Sequence, residues 1–190
     1  MNLYLGIIYG VIVIAIIATI LLFRFVFKQS KGTKEMQEIS DAISDGAMAF
    51  LNRQYKTIAL ISVIALAVIF AAVYFGKLSQ GADVAMDTAI HTGIAFVIGA
   101  LCSALSGYIG MYMSVNSNIR AAEGARTSLD KSLQIAFKGG SVTGLAVTTL
   151  SLLGVATLFL VFGGASGNEE KIMGAPNLII GFGFGASLVA

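Results

Sequence analysis

Five long stretches of this chain carry no Asp, Glu, Lys or Arg: 1–23, 57–76, 88–119, 139–168 and 172–190. A helix crossing roughly 30 Å of hydrocarbon at 1.5 Å per residue needs about 20 apolar residues. The first four stretches satisfy that length. Composition agrees: 57% of the 190 residues are hydrophobic and 12% charged, whereas a soluble domain carries about 25% charge. A mean hydropathy of +0.88 makes lipid the solvent and excludes both a soluble globular enzyme and a disordered tail. The expected fold class is all-α: a polytopic transmembrane helix bundle of four complete spans plus the start of a fifth. The spans fall at about 3–24, 57–76, 91–113, 139–163 and 177–190.

The fifth span is short. Pro176 suits the first turn of a helix, and 177–190 then offers about 21 Å of rise. A helix stopping inside hydrocarbon strands its last carbonyls where no water reaches them. Ala190 therefore reads as a cut end.

Basic residues set the expected orientation. Ten of the twelve lie in two loops, 25–56 (with Arg24 at its edge) and 114–138; the others are Lys77 and Lys171. The positive-inside rule makes those two loops cytoplasmic and puts the amino terminus outside. No Lys or Arg precedes Arg24, so the first run reads as an uncleaved anchor and not a secretory signal. A net charge of only +2 gives no nucleic-acid footprint.

The first loop has internal order. Met36, Ile39, Ile43, Ala47 and Phe50 recur at three- and four-residue spacing, which predicts an amphipathic helix with Thr33 as its cap. Lys34 and Glu38 stand where they could pair. Either this helix continues the second span or it lies in the headgroup region. In the other loop, Ser114-Val-Asn-Ser-Asn-Ile-Arg120 reads as a polar continuation of the third span.

Small residues four apart, Ala100/Ala104, Gly140/Gly144 and Gly181/Gly185, predict close backbone approach between helices. Chemistry-bearing residues are scarce by contrast. Apart from Arg24 at the edge of the first, no Asp, Glu, Lys or Arg lies within the four complete spans, where a pump needs ionisable groups at depth. His91 is the only histidine and sits near a span edge, so it reads as an interfacial hydrogen-bonder. Cys102 is the only cysteine; it excludes an internal disulfide and reads as a small core side chain. The segment Gly181-Phe-Gly-Phe-Gly185 is not a dinucleotide fingerprint, because it follows no strand. On these residues alone the chain describes scaffold helices.

Four segments in this order and spacing resemble the membrane-bound inorganic pyrophosphatases, the pyrophosphate-energised proton or sodium pumps. They are Gly46-Ala-Met-Ala-Phe-Leu-Asn-Arg-Gln-Tyr-Lys-Thr57, Gly107-Tyr-Ile-Gly-Met111 running to Asn118-Ile-Arg120, Ala136-Phe-Lys-Gly-Gly-Ser-Val-Thr-Gly-Leu145, and Gly181-Phe-Gly-Phe-Gly-Ala-Ser187. Gln54, Asn116, Ser117 and Ala121 depart from the family pattern. The resemblance covers the amino-terminal part of the family fold. It implies an outer supporting ring for the first four helices and entry of the fifth into an inner ring. It also implies hydrolysis of pyrophosphate with Mg²⁺, possible K⁺ activation, coupled H⁺ or Na⁺ transport, and a homodimer in a lipid bilayer. The expected setting is a prokaryotic plasma membrane or an acidic organelle membrane.

The family's catalytic and metal-binding residues match no position here, so none is assigned. Gly183 and Ser187 are the candidate packing or pathway-lining positions, with simple small-residue packing as the alternative. The alternatives are a non-catalytic membrane scaffold or subunit, and part of a secondary transporter.

Overall fold

The computed structural model describes residues 2–189, and these are almost entirely helical. Five helices follow in order: α1 (Asn2–Phe27), α2 (Lys34–Lys77), α3 (Ala82–Ala125), α4 (Leu129–Phe159) and α5 (Glu169–Val189). Each is long and apolar enough to cross a membrane. A single 3₁₀ turn, Leu78–Gln80, links α2 to α3, and a wide π turn, Leu160–Gly164, follows α4.

Helices α2 and α3 are each 44 residues long. At 1.5 Å per residue that is about 66 Å, more than twice the hydrocarbon thickness. The amphipathic segment that starts at Lys34 is therefore an unbroken extension of the second apolar stretch, which decides between the two sequence alternatives. Thr33 caps it as expected. Its hydroxyl accepts the Met36 N–H at 3.4 Å and its carbonyl accepts the Gln37 N–H at 3.1 Å. At this helix end, outside the apolar stretch, Glu35 is held below the usual carboxylate range. Its own backbone N–H contributes most, and the Thr33 hydroxyl contributes next. The charged form is thus favoured in the folded first turn, and that support fades as pH falls through the carboxylate range. Lys34 and Glu38 do not pair: among the described residues the ion-pair contacts are Arg126–Glu123 and His91–Asp87.

The sequence also misplaces the start of α5. The helix begins at Glu169, with the Asn168 carbonyl accepting the Ile172 N–H at 3.0 Å, so Pro176 lies inside it. The polar run Glu169-Glu-Lys171 is part of this helix. Upstream, Gly163 takes φ 89°, a conformation only glycine adopts without strain, and this turns the chain between α4 and α5.

The chain divides into two compact units, and α1 to α4 each contribute to both. The first unit takes residues up to Gly10, Tyr55–Leu105, and everything from Leu150 onward. Its core is Ala95, Leu158 and Phe182, with Ile98, Cys102, Phe162, Ile179 and Ala186 packed against them. Cys102 is thus a core side chain, as its apolar setting suggests. Polar side chains tie the helices at two points. The Tyr55 hydroxyl donates to the Ala104 carbonyl at 2.6 Å, and the Tyr9 and Thr157 hydroxyls lie 3.3 Å apart.

The second unit comprises Val11–Gln54 and Ser106–Thr149. Val26, Met113, Ile135 and Val142 are fully buried at its centre, ringed by Leu22, Phe23, Phe25, Phe27 and Ala121. The turn from α3 to α4 closes tightly. The N–H groups of Thr127 and Ser128 both reach the Gly124 carbonyl at 3.0 Å, and the Ser128 hydroxyl then accepts from Lys131 at the start of α4.

Candidate functional site

The most sharply built feature of the first unit is a backbone-to-backbone seam between α3 and α5. A Cβ added at Gly181 would strike the Thr92 carbonyl, and one at Gly185 would strike the Phe96 carbonyl with the Ala100 nitrogen 2.9 Å away. From the other side, a Cβ at Gly99 would strike the Phe182 carbonyl. Only hydrogen in place of a side chain lets two helix backbones approach this closely, and in lipid such packing replaces the hydrophobic drive. The Phe182 ring completes the seam by lying over Gly154 of α4.

Of the small-residue pairs expected from sequence, Gly181/Gly185 meets a neighbouring helix. Gly140/Gly144 has nothing within 4 Å of either position. The helical glycines that pack across to another helix of the second unit include Gly110, against Thr143, and Gly139, against the Ser117 side chain. Neither belongs to a four-residue pair on its packed face, so the spacing rule passes over both.

Gly183 and Ser187 share one side of α5, opposite Gly181 and Gly185, and both are exposed. A Cβ at Gly183 would meet nothing within 4 Å. Residues 181 and 185 are therefore the embedded face of this helix and 183 and 187 the open face. No described polar side chain is brought to Gly183 or Ser187 by an observed hydrogen bond.

His91 hydrogen-bonds within its own helix. Its Nδ1 lies 2.8 Å from the Asp87 carbonyl, which only accepts, so that nitrogen carries the proton. The ring stands edge-on to Phe162 at 4.8 Å. In the second unit, Arg120 is 3% exposed. Its guanidinium donates to the Asn116 carbonyl at 2.6 Å and to Asn116 Oδ1 at 3.2 Å, and stacks 4.5 Å from the Phe27 ring centre. The polar run at the end of α3 thus solvates its own arginine from within the helix.

Among the described residues no three His, Cys, Asp or Glu side chains converge as a metal site requires. These residues do not fit a resident Mg²⁺.

Residues 13–190 match the family model described as inorganic H⁺ pyrophosphatase. The chain is 64% identical over 190 residues to a K(+)-insensitive pyrophosphate-energized proton pump of Caldanaerobacter subterraneus; the match covers all of this chain and 27% of that protein. It is 52% identical over 178 residues to the K(+)-insensitive pyrophosphate-energized proton pump 2 of Moorella thermoacetica, covering 94% of this chain and 24% of the relative. A plant protein, the pyrophosphate-energized membrane proton pump 3 of Arabidopsis thaliana, is 36% identical over 191 aligned residues, covering 96% and 24%. The chain spans about a quarter of the length of these relatives. With five helices able to cross a membrane, and a family match running through four of them and most of the first, this chain is an integral membrane protein of the inorganic H⁺ pyrophosphatase family.

Proposed function

We propose that this chain is the amino-terminal supporting portion of a pump that couples hydrolysis of pyrophosphate to proton movement across a membrane. One observation carries the reading: the 64% identity, without a break in coverage, to a relative named as such a pump. The relatives at 64% and 52% identity are both named K(+)-insensitive pyrophosphate-energized proton pumps, which favours protons over Na⁺ and an activity that does not need K⁺. Mg²⁺ enters this reading as the partner of the pyrophosphate substrate, held by residues outside those described here. A bacterial plasma membrane fits the bacterial sources of those relatives, and a homodimer fits the family resemblance.

Within the pump, α1 to α4 act as wall and α5 as the contact with further helices. Its open face, Gly183 and Ser187, is where packing or pathway-lining contacts would form. The amino end faces outward, supported by the ten-to-two distribution of basic residues.

The test uses the whole protein in inside-out membrane vesicles supplied with Mg²⁺ and pyrophosphate. The expected result is acidification of the lumen, abolished by a protonophore and unchanged by K⁺ or Na⁺. Hydrolysis without acidification, or a requirement for Na⁺, would contradict the reading. Ser187→Leu is expected to lower acidification, and full activity in that variant would remove Ser187 from both roles. For orientation, Ala125→Cys in sealed cells is expected to resist an impermeant thiol reagent added outside.

A further inference from the structure

Two cations in the second unit are withdrawn from water without a counter-ion. Arg120 is almost fully buried, and its Nε finds no hydrogen-bond partner. Lys138 is half-buried, with Nζ 3.4 Å above the Phe25 ring. Neither makes an ion pair with any described residue. Of the acids in this unit, Glu123 pairs with Arg126 at 3.1 Å and Asp130 accepts from Gln134 at 2.8 Å, while Glu35, Glu38, Asp41 and Asp45 of α2 make no ion pair with either cation. Arg24, Lys28 and Lys31 add three more exposed cations along the end of α1 and just past it.

An aromatic ring lies against each, on opposite sides of α1: Phe25 under Lys138 and Phe27 under Arg120. Phe23 stacks on Phe27 at 4.3 Å, Phe27 on Tyr112 at 5.9 Å, and Tyr112 on Tyr108 at 6.5 Å, with both tyrosines exposed. The cluster stands where the apolar stretches 1–23 and 139–168 give way to charge. An aromatic belt at that level marks the boundary between hydrocarbon and headgroups. Partly desolvated cations there need an anion, because aromatic faces and helix carbonyls offset only part of the lost hydration.

We propose that this end of the second unit binds the phosphate of an anionic phospholipid, with Lys138 as its cationic partner. The charge complementarity is that of basic pockets between membrane helices. The exposed side chains Ile17, Ile20 and Leu21 run down α1 from the same end and offer an acyl chain an apolar track. Free phosphate would gain nothing from that track. The inference does not depend on the pumping activity proposed above.

Thermal unfolding of the whole purified protein is followed as phosphatidylglycerol, phosphatidylcholine or inorganic phosphate is added. Phosphatidylglycerol is expected to raise the midpoint while the other two leave it near its starting value. Lys138→Gln should weaken the apparent affinity for phosphatidylglycerol about fivefold, the effect of one cation at a membrane surface. Phe25→Leu, which removes the platform and keeps the charge, should weaken it less, and Lys77→Gln should leave it unchanged. Equal stabilisation by phosphatidylcholine, stabilisation by phosphate alone, no stabilisation by any of them, or an unaltered affinity in Lys138→Gln would each overturn the proposal.

Discussion

Gly185→Ala is expected to lower the thermal midpoint of this chain in detergent by several degrees, whereas Gly183→Ala, two residues away on the same helix, holds or raises it. The difference lies in what each new methyl meets. At position 185 it lands on the Phe96 carbonyl and near the Ala100 nitrogen. These are backbone atoms that cannot swing aside, so α3 and α5 must separate and the Phe182 contacts loosen with them. Overpacking of this kind costs about 1–3 kcal/mol and occasionally more, and the clash with fixed atoms places this site at the upper end. Alanine recovers up to about 1 kcal/mol of helix propensity over glycine. The net loss is about 2 kcal/mol, or roughly 4–8 °C for a chain of this size. At position 183 nothing lies within 4 Å, so only the propensity gain remains. Identical behaviour of the two variants would show that the seam does not hold these helices together.

Met113→Ala is the second large effect. Met113 is fully buried among Val26, Ile135 and Val142, which come from α1 and α4. Truncation deletes the side chain that joins three helices and leaves a cavity, at a cost of about 3 kcal/mol within the usual 2–5 range. Met113→Leu keeps the volume and should cost under about 1.5 kcal/mol. Equilibrium unfolding of the three proteins in one detergent compares them directly. An alanine variant as stable as the leucine variant would mean the second unit relaxes around the gap or does not rest on this core.

The five helices were legible because charge cuts this sequence cleanly and lipid tolerates little ambiguity. Their lengths were not. The periodicity of 34–56 leaves open whether that helix continues the second span or lies apart in the headgroup region, and only backbone continuity joins it to 57–76 in α2. Pro176 misled for a related reason: its first-turn preference is a weak prior, and α5 already runs from Glu169.

The glycines show a deeper limit. A four-residue spacing says that two small residues share a face, but not whether another helix lies opposite. Gly181/Gly185 has α3 against it and Gly140/Gly144 has nothing, yet the patterns are the same. Gly139 packs against Ser117 with no glycine or alanine four residues away, so spacing gives no signal there. The setting of Arg120 follows a similar rule. Its bond to Asn116 is an i, i+4 relation visible in sequence, while its seat on Phe27 depends on how α1 meets α3.

The claim underlying all of this is that these helices are the supporting wall of a pyrophosphate-driven pump and that its hydrolytic chemistry is carried elsewhere in the whole protein. Release of phosphate from magnesium pyrophosphate, measured side by side for membranes holding the 190-residue chain and for membranes holding the whole protein, tests it most directly. The account predicts hydrolysis by the whole protein and none above background by the 190-residue chain; phosphate release by the short chain alone would contradict it.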